Sequence, residues 1–248
     1  MKSQKGRFPR KSFRTESRQN ALICAFADNV HHMLLVITER GVIIMKVKKK
    51  FLITVGREYG SGGKVIAEQI GKDLDIKVYD KNLIEMIAKK HDLDKDTLVN
   101  DDERLSNPFF EPYINYGIDT ASRSSRLFAL QSQIIREEAN EGPAIFLGRC
   151  ADDILWEYPD VIRIFIYAPK ADRVERIMNV EGISESLAAE KIIRRMDKQR
   201  KAYYQFYTDK KWGTPEGMDF MINSSALGID GTVKLIEEIL KMKGYIED

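Results

Sequence analysis

Residues 51–65 read FLITVGREYGSGGKV. Phe51 to Val55 is a short, continuously apolar and partly β-branched run, the pattern of a strand buried on both faces. Directly behind it, GREYGSGGKV (56–65) sets four glycines in ten positions. Helical periodicity follows from Gly62 to Leu74, with Val65, Ile66, Ile70 and Leu74 on the inner face. A glycine-rich turn from a strand into a helix gathers backbone N–H groups and the positive end of the helix dipole at one spot. Gly60, Gly62 and Gly63 let such a backbone close around phosphate oxygens without Cβ clashes. The same glycines also suit a plain structural turn, and the segment alone leaves both readings open.

The strict Walker pattern is Gly, four residues, Gly-Lys, then Ser or Thr. Counting back from Lys64 puts Glu58 where the first glycine belongs and Val65 where the Mg²⁺-binding hydroxyl belongs. Laying Gly60-Ser61-Gly62 over the pattern's Gly-x-Gly instead puts Gly63 in the lysine's place, and Lys64 comes one residue late. Neither register is intact.

Outward from the loop, strands and helices alternate. KVYD (77–80) reads as a short strand before the helix KNLIEMIAKKH, and residues 92–117 are rich in loop formers, with Pro108 and Pro112. A long helix is expected over about 118–140, then the strands AIFLG (144–148) and VIRIFIYA (161–168). Helices at 170–180 and 184–205, a strand DFMIN (219–223) and a closing helix at 230–242 complete the body, with no internal repeat. Strands separated by helices predict an α/β fold, a parallel sheet covered on both faces with right-handed crossovers. Ligands in such sheets bind beyond the carboxyl ends of the strands.

The 248 residues carry a net charge of +2, but residues 1–44 hold eight basic and three acidic side chains, leaving 32 basic against 35 acidic in 45–248. The body's acidic balance disfavours a nucleic-acid polymer as partner. Residues 1–20 show no periodicity, and 21–45 are interrupted by Asp28, His31, His32, Glu39 and Arg40, which excludes a transmembrane span. The expectation is a disordered leader or upstream extension over 1–44, with the folded body starting at Met45, whose MKVKKKFLITVG leads straight into the first strand. Two cysteines, Cys24 and Cys150, suggest no disulfide framework or zinc site and point to a reducing, cytoplasmic compartment.

Five segments together resemble the cytidylate kinase-like family, a divergent branch of the P-loop nucleoside monophosphate kinases. They are ITVGREYGSGGKVIAEQIGKDL (53–74), YDKNLIEMIAK (79–89), AIFLGRCADDIL (144–155), IRIFIYAP (162–169) and IIRRMDKQRKAYYQFYTDKKWG (192–213). The first and fourth are widespread among P-loop proteins; the second, third and fifth together are more specific. The resemblance runs over residues 50–243 and implies a P-loop NTPase-like parallel sheet with a helical lid. In that family the loop commonly has this Gly-Ser-Gly-Gly-basic form.

The resemblance implies ATP with Mg²⁺ as donor and a nucleoside monophosphate, CMP or dCMP first, as acceptor. Gly60, Ser61, Gly62, Gly63, Lys64 and Val65 would hold ATP, and Ser61 is the candidate side chain for the metal. Arg149 takes the place of the arginine that grips the acceptor phosphate, a task suited to a planar guanidinium. Pairing with Asp152 or Asp153 at the strand end is the structural alternative. Asp80 and Lys81 stand where relatives begin their nucleotide-binding helix. Arg194, Asp197 and Arg200 span about 120° of one helix face; read alone they suit a solvated charged surface. By resemblance they belong to a lid over the transferring phosphoryl group, with Arg194 or Arg195 completing the set beside Lys64. The aromatic run YYQFYTDKKWG (203–213) is expected to pack in the core. Two other readings stay open: a kinase of another small molecule on the same scaffold, and a nucleotide-binding regulatory protein that has lost transfer activity.

Overall fold

The computed structural model describes residues 36–38, 41–43, 45–80, 82–91 and 118–247. The chain divides into two compact units, Met1–Ile44 and Met45–Asp248. In the first, β1 (Val36–Thr38) and β2 (Gly41–Ile43) pair antiparallel.

The second unit opens with β3 (Lys46–Val47), which pairs antiparallel with the last strand, β9 (Ile246–Glu247). Its centre is a five-stranded parallel sheet in the order β5-β6-β4-β7-β8. The strands are β4 (Leu52–Arg57), β5 (Lys77–Tyr79), β6 (Ala144–Leu147), β7 (Val161–Tyr167) and β8 (Phe220–Asn223). Among the described residues seven helices join them: α1 (Gly63–Asp73), α2 (Asn82–His91), α3 (Ile118–Glu141), α4 (Ala151–Ile154), α5 (Lys170–Glu181), α6 (Ser186–Thr208) and α7 (Ser224–Met242). The expected α/β architecture is the one observed. The expected loop region 92–117 lies outside the described residues.

Alternation along the strands divides the core into two layers. Leu52, Ala144 and Phe146 face Leu83 and Ile87 of α2, Ile134 and Ile135 of α3, and Tyr203 and Tyr204 of α6. Ile53, Val55, Ile145, Leu147, Ile162, Ile164 and Ile166 point to the other side, against Ile66 and Ile70 of α1 and Val233, Ile236 and Leu240 of α7. Each fully buried Leu or Ile contributes about 1.5–3 kcal/mol relative to exposure. The aromatic run packs as expected, with Tyr203 and Tyr204 buried, although Phe206 is exposed. A third, smaller cluster joins α5 to α6 through Val174, Ile177, Ala189 and Ile193, with Tyr59 of the glycine loop laid against it.

The closing helix is longer than its periodicity indicates. It begins at Ser224, where the Asn223 side chain accepts the Ser225 N–H at 3.1 Å. Gly228 (φ 70°, ψ 179°) interrupts the helical path inside it. The regular spacing therefore becomes visible only after the break. A short helix, α4, and the β3–β9 pair carry too few residues for any period to register.

Candidate active site

The carboxyl end of β4 runs into the glycine loop, as an open parallel sheet requires of a ligand site. Gly60 (φ 78°) and Gly62 (φ 81°) are left-handed, and Gly62 caps α1. No side chain caps this helix and its first turn holds no acidic residue, the features of a helix end able to receive an anion. Ser61 is fully buried; its hydroxyl donates to Glu58 O at 2.9 Å, and its carbonyl accepts from the Ser224 hydroxyl at 2.6 Å. Ser61 thus braces the loop from behind.

Helices α5 and α6 hold the loop from its other side. Arg173 donates through Nη1 to Tyr59 O at 3.2 Å and to Asp197 Oδ2 at 2.5 Å, and its Nε lies 3.4 Å from Glu58 Oε2. Arg176 donates to Gly60 O. Asp197 also accepts the Tyr59 N–H at 2.7 Å, and Arg200 donates to Arg57 O at 2.9 Å while lying 5.3 Å from the Tyr59 ring centroid. Asp197 and Arg200, expected in the lid, are therefore joined to the loop. Sequence reasoning missed Arg173 and Arg176; their spacing of three on one helix was the available signal, and a solvated surface pair gives the same one.

In front of the loop the charge is positive. Arg57 Nη2 lies 3.3 Å from Asp80 Oδ1, and Lys64 Nζ lies 4.0 Å from Asp80 Oδ2 and 3.5 Å from Glu68. Burial lowers the Arg57 pKa to about 9, with the nearby charges of Arg200 and Arg149 adding to the effect and Asp80 opposing it. Arg200 is lowered by burial as well, against the favourable charges of Asp197 and Asp80 and with Arg149 unfavourable. Three guanidinium groups thus raise one another's electrostatic cost at the sheet's carboxyl edge, and a bound anion would relieve it. Arg149 stands in a left-handed turn, φ 66°, 59° and 56° at Gly148, Arg149 and Cys150. Such backbone in non-glycine residues is costly and clusters at functional sites. Of the two carboxylates offered as its structural partners, Asp153 pairs with Lys210 at 2.7 Å and Asp152 accepts from the Tyr204 hydroxyl at 2.6 Å.

Other expected site residues are less engaged. Val65 is exposed on the first turn of α1. Arg194 and Arg195 are exposed on α6; the charge of Arg195 is felt at Tyr59, while that of Arg194 is felt at Glu190. Burial and the Glu181 partner raise the Tyr59 phenol to about 12. Lys81 lies outside the described residues. Among the described residues no three His, Cys, Asp or Glu side chains gather to hold a metal ion, and no helix is long and apolar enough to cross a membrane.

The model of the Cytidylate kinase-like family matches residues 52–226. An uncharacterized protein from Eubacterium ventriosum ATCC 27560 is similar at 27% identity and a TM-score of 0.60, over 77% of this chain and 99% of that one. Shikimate kinase from Bacteroides thetaiotaomicron matches at 14% identity and a TM-score of 0.45, over 77% of this chain and 98% of its own. Deoxyadenosine kinase from M. mycoides matches at 16% and 0.40, over 77% and 100%. No curated protein matches the chain. The chain belongs to the cytidylate kinase-like family, with a P-loop kinase fold.

Proposed function

We propose that this protein transfers a phosphoryl group from ATP to a nucleoside monophosphate, CMP or dCMP first. The observation that carries the reading is the convergence of Arg57, Arg149 and Arg200 beside the uncapped N-terminus of α1. Phosphoryl transfer asks little covalent chemistry of a protein; it needs in-line positioning and positive groups around the equatorial oxygens. The amides of Gly60 to Val65 bind the donor phosphates, with Lys64 alongside. Arg149 binds the acceptor phosphate, and Asp80, with Lys81 next to it, borders the acceptor side. Arg200 meets charge developing in transfer, held in place by Asp197 through the loop, and Arg194 or Arg195 reaches the site only if the lid moves. Mg²⁺ accompanies ATP. The Ser61 hydroxyl donates to the Glu58 carbonyl and the Val65 side chain has no oxygen, so in this arrangement the ion would be held mainly through phosphate oxygens and water.

The test is ADP release from ATP, coupled to a reporter, with CMP, dCMP, UMP, AMP, GMP and small hydroxyl compounds as acceptors. Release stimulated by CMP or dCMP is expected. A specific observation favours one rival: an exposed valine at the hydroxyl position suits a nucleotide-binding regulator without turnover. ATP binding with no acceptor-dependent ADP release would support that rival and end the kinase reading. Release with a non-nucleotide acceptor alone would move the substrate class and keep the chemistry.

A further inference from the structure

When Gly62 is laid on the second glycine of the Walker pattern, Arg57 occupies the first glycine's position and Gly63 the lysine's. The two residues meet in space. A Cβ added at Gly63 would lie 2.7 Å from Arg57 Cβ, closer than real carbon atoms approach. The Arg57 side chain therefore fills the room that a side chain at position 63 would need. Farther along, a Cβ at Gly148 would lie 2.3 Å from Arg57 Nη1. Two glycines from separate parts of the chain are thus empty where the arginine passes. Its guanidinium ends beside Gly148, just past β6, with Nη2 3.3 Å from Asp80 just past β5 and the charges of Arg149 and Arg200 near it. Arg57 Nε is buried and has no hydrogen-bond partner among the described residues.

We propose that Arg57 replaces the loop lysine: it carries the main positive charge to the bound phosphates from the opposite end of the loop. The assignment rests on the phosphoryl-transfer reading but concerns which side chain serves it. Lys64, more than half exposed and turned to Glu68 and Asp80, is then auxiliary. An arginine brings a planar fork of donors, able to hold two phosphate oxygens at once where a lysine offers a point charge. A structural ion pair alone would need neither the empty Gly63 nor the unpartnered Nε.

The experiment is titration calorimetry of the full chain with ATP and, separately, with inorganic pyrophosphate, on wild type, Arg57→Gln, Lys64→Gln and the exchange Arg57→Gly/Gly63→Lys. Arg57→Gln should weaken both ligands by roughly ten- to a hundredfold, as loss of a charge-assisted bond does. Lys64→Gln should weaken them only a few-fold. The exchange should recover most of the loss, because with the arginine gone the nearest atom to a Cβ at 63 is Ile166 Cβ at 3.3 Å. Gly63→Lys alone should fail, since Arg57 still blocks it. Arg57→Gln binding both ligands like wild type, or Lys64→Gln losing more than Arg57→Gln, would overturn the assignment. If Arg57→Gln does not fold, the exchange decides: folded and binding sustains it, folded and not binding overturns it. Pyrophosphate binding that depends on Arg57, without ATP binding, would keep the assignment and remove the nucleotide reading. Wild type binding neither ligand would remove both.

Discussion

Asp197 accepts the backbone N–H of Tyr59 at 2.7 Å while its other oxygen pairs with Arg173, so one carboxylate ties α6 and α5 to the glycine loop. The pair is mostly out of water, with side-chain exposures of 19% and 11%. Asp197→Ala leaves Arg173 and the Tyr59 amide short of partners and should cost about 3 kcal/mol. The urea midpoint measures it. Asp197→Leu with Arg173→Met should cost less than the sum of the single changes, because neither member of that pair is left charged without the other, although Glu58 still loses its Arg173 contact.

Arg149 is strained for a reason that can be measured. Its φ of 59° favours glycine, so Arg149→Gly should melt at the wild-type temperature or higher. The same change should raise the acceptor KM about ten- to a hundredfold and leave ATP binding nearly unchanged. Equal weakening of both substrates would mark it as a strand-end residue without an acceptor role.

Gly62→Val meets two obstacles. The residue is left-handed at φ 81°, and its Cβ would fall 2.2 Å from Ile229 Cδ1. The first costs about 1–2 kcal/mol for a non-glycine residue. ATP binding should be abolished. Adding Ile229→Ala should regain part of the melting temperature and none of the ATP affinity, because the backbone conformation is still wrong. Normal ATP binding by Gly62→Val would make the segment a mere turn.

A carboxyl pair between α1 and α7 gives the fold a pH response away from the site. Burial and the Asp73 charge raise Glu237 from 4.5 to about 7, against Lys241 and Lys234 and with Glu238 adding to the rise. Its folded value lies above its unfolded one, so the folded state keeps the proton through the window between them. The stability it contributes is present below about 4.5 and is lost as pH rises toward 7. Glu237→Gln should flatten this part of the melting profile and raise the melting temperature relative to wild type at pH 8. Parallel profiles would refute the coupling.

Residues 45–248 are expected to fold without 1–44. A chain starting at Met45 should melt within a few degrees of the full chain. Insolubility, or a midpoint lower by many degrees, would show that the two units depend on each other.

The sheet was legible because its strands are buried on both faces and read as largely apolar, β-branched runs, Leu52 to Val55 and Val161 to Ile166 being the clearest despite Arg163 in the second. Helix ends were less so: nothing in Ser224 to Leu227 shows a period before Gly228. At the site, Gly60 to Gly63 read as a glycine-rich turn from their spacing, whereas Arg149, Asp197 and Arg200 were singled out by the family resemblance. Arg57, Arg173 and Arg176 were found by neither, since an isolated arginine looks solvated until its partners, Asp80, Asp197 and the Gly60 carbonyl, arrive from other parts of the chain. Ser224, which braces Ser61 across the sheet, was hidden for the same reason.

The position of β4 has a consequence for synthesis. Leu52 pairs with Ala144 on one side and Val161 on the other, so the first long strand waits for most of the chain before it has neighbours. Tyr59 then waits for Asp197, and Ser61 for Ser224. Such long-range closure is slow and leaves apolar strands uncovered in the interim. On the ribosome, the segment translated early is therefore the one completed last, and a nascent chain halted before Ser224 should not yet retain nucleotide. The loop is braced only once Ser224 has been made.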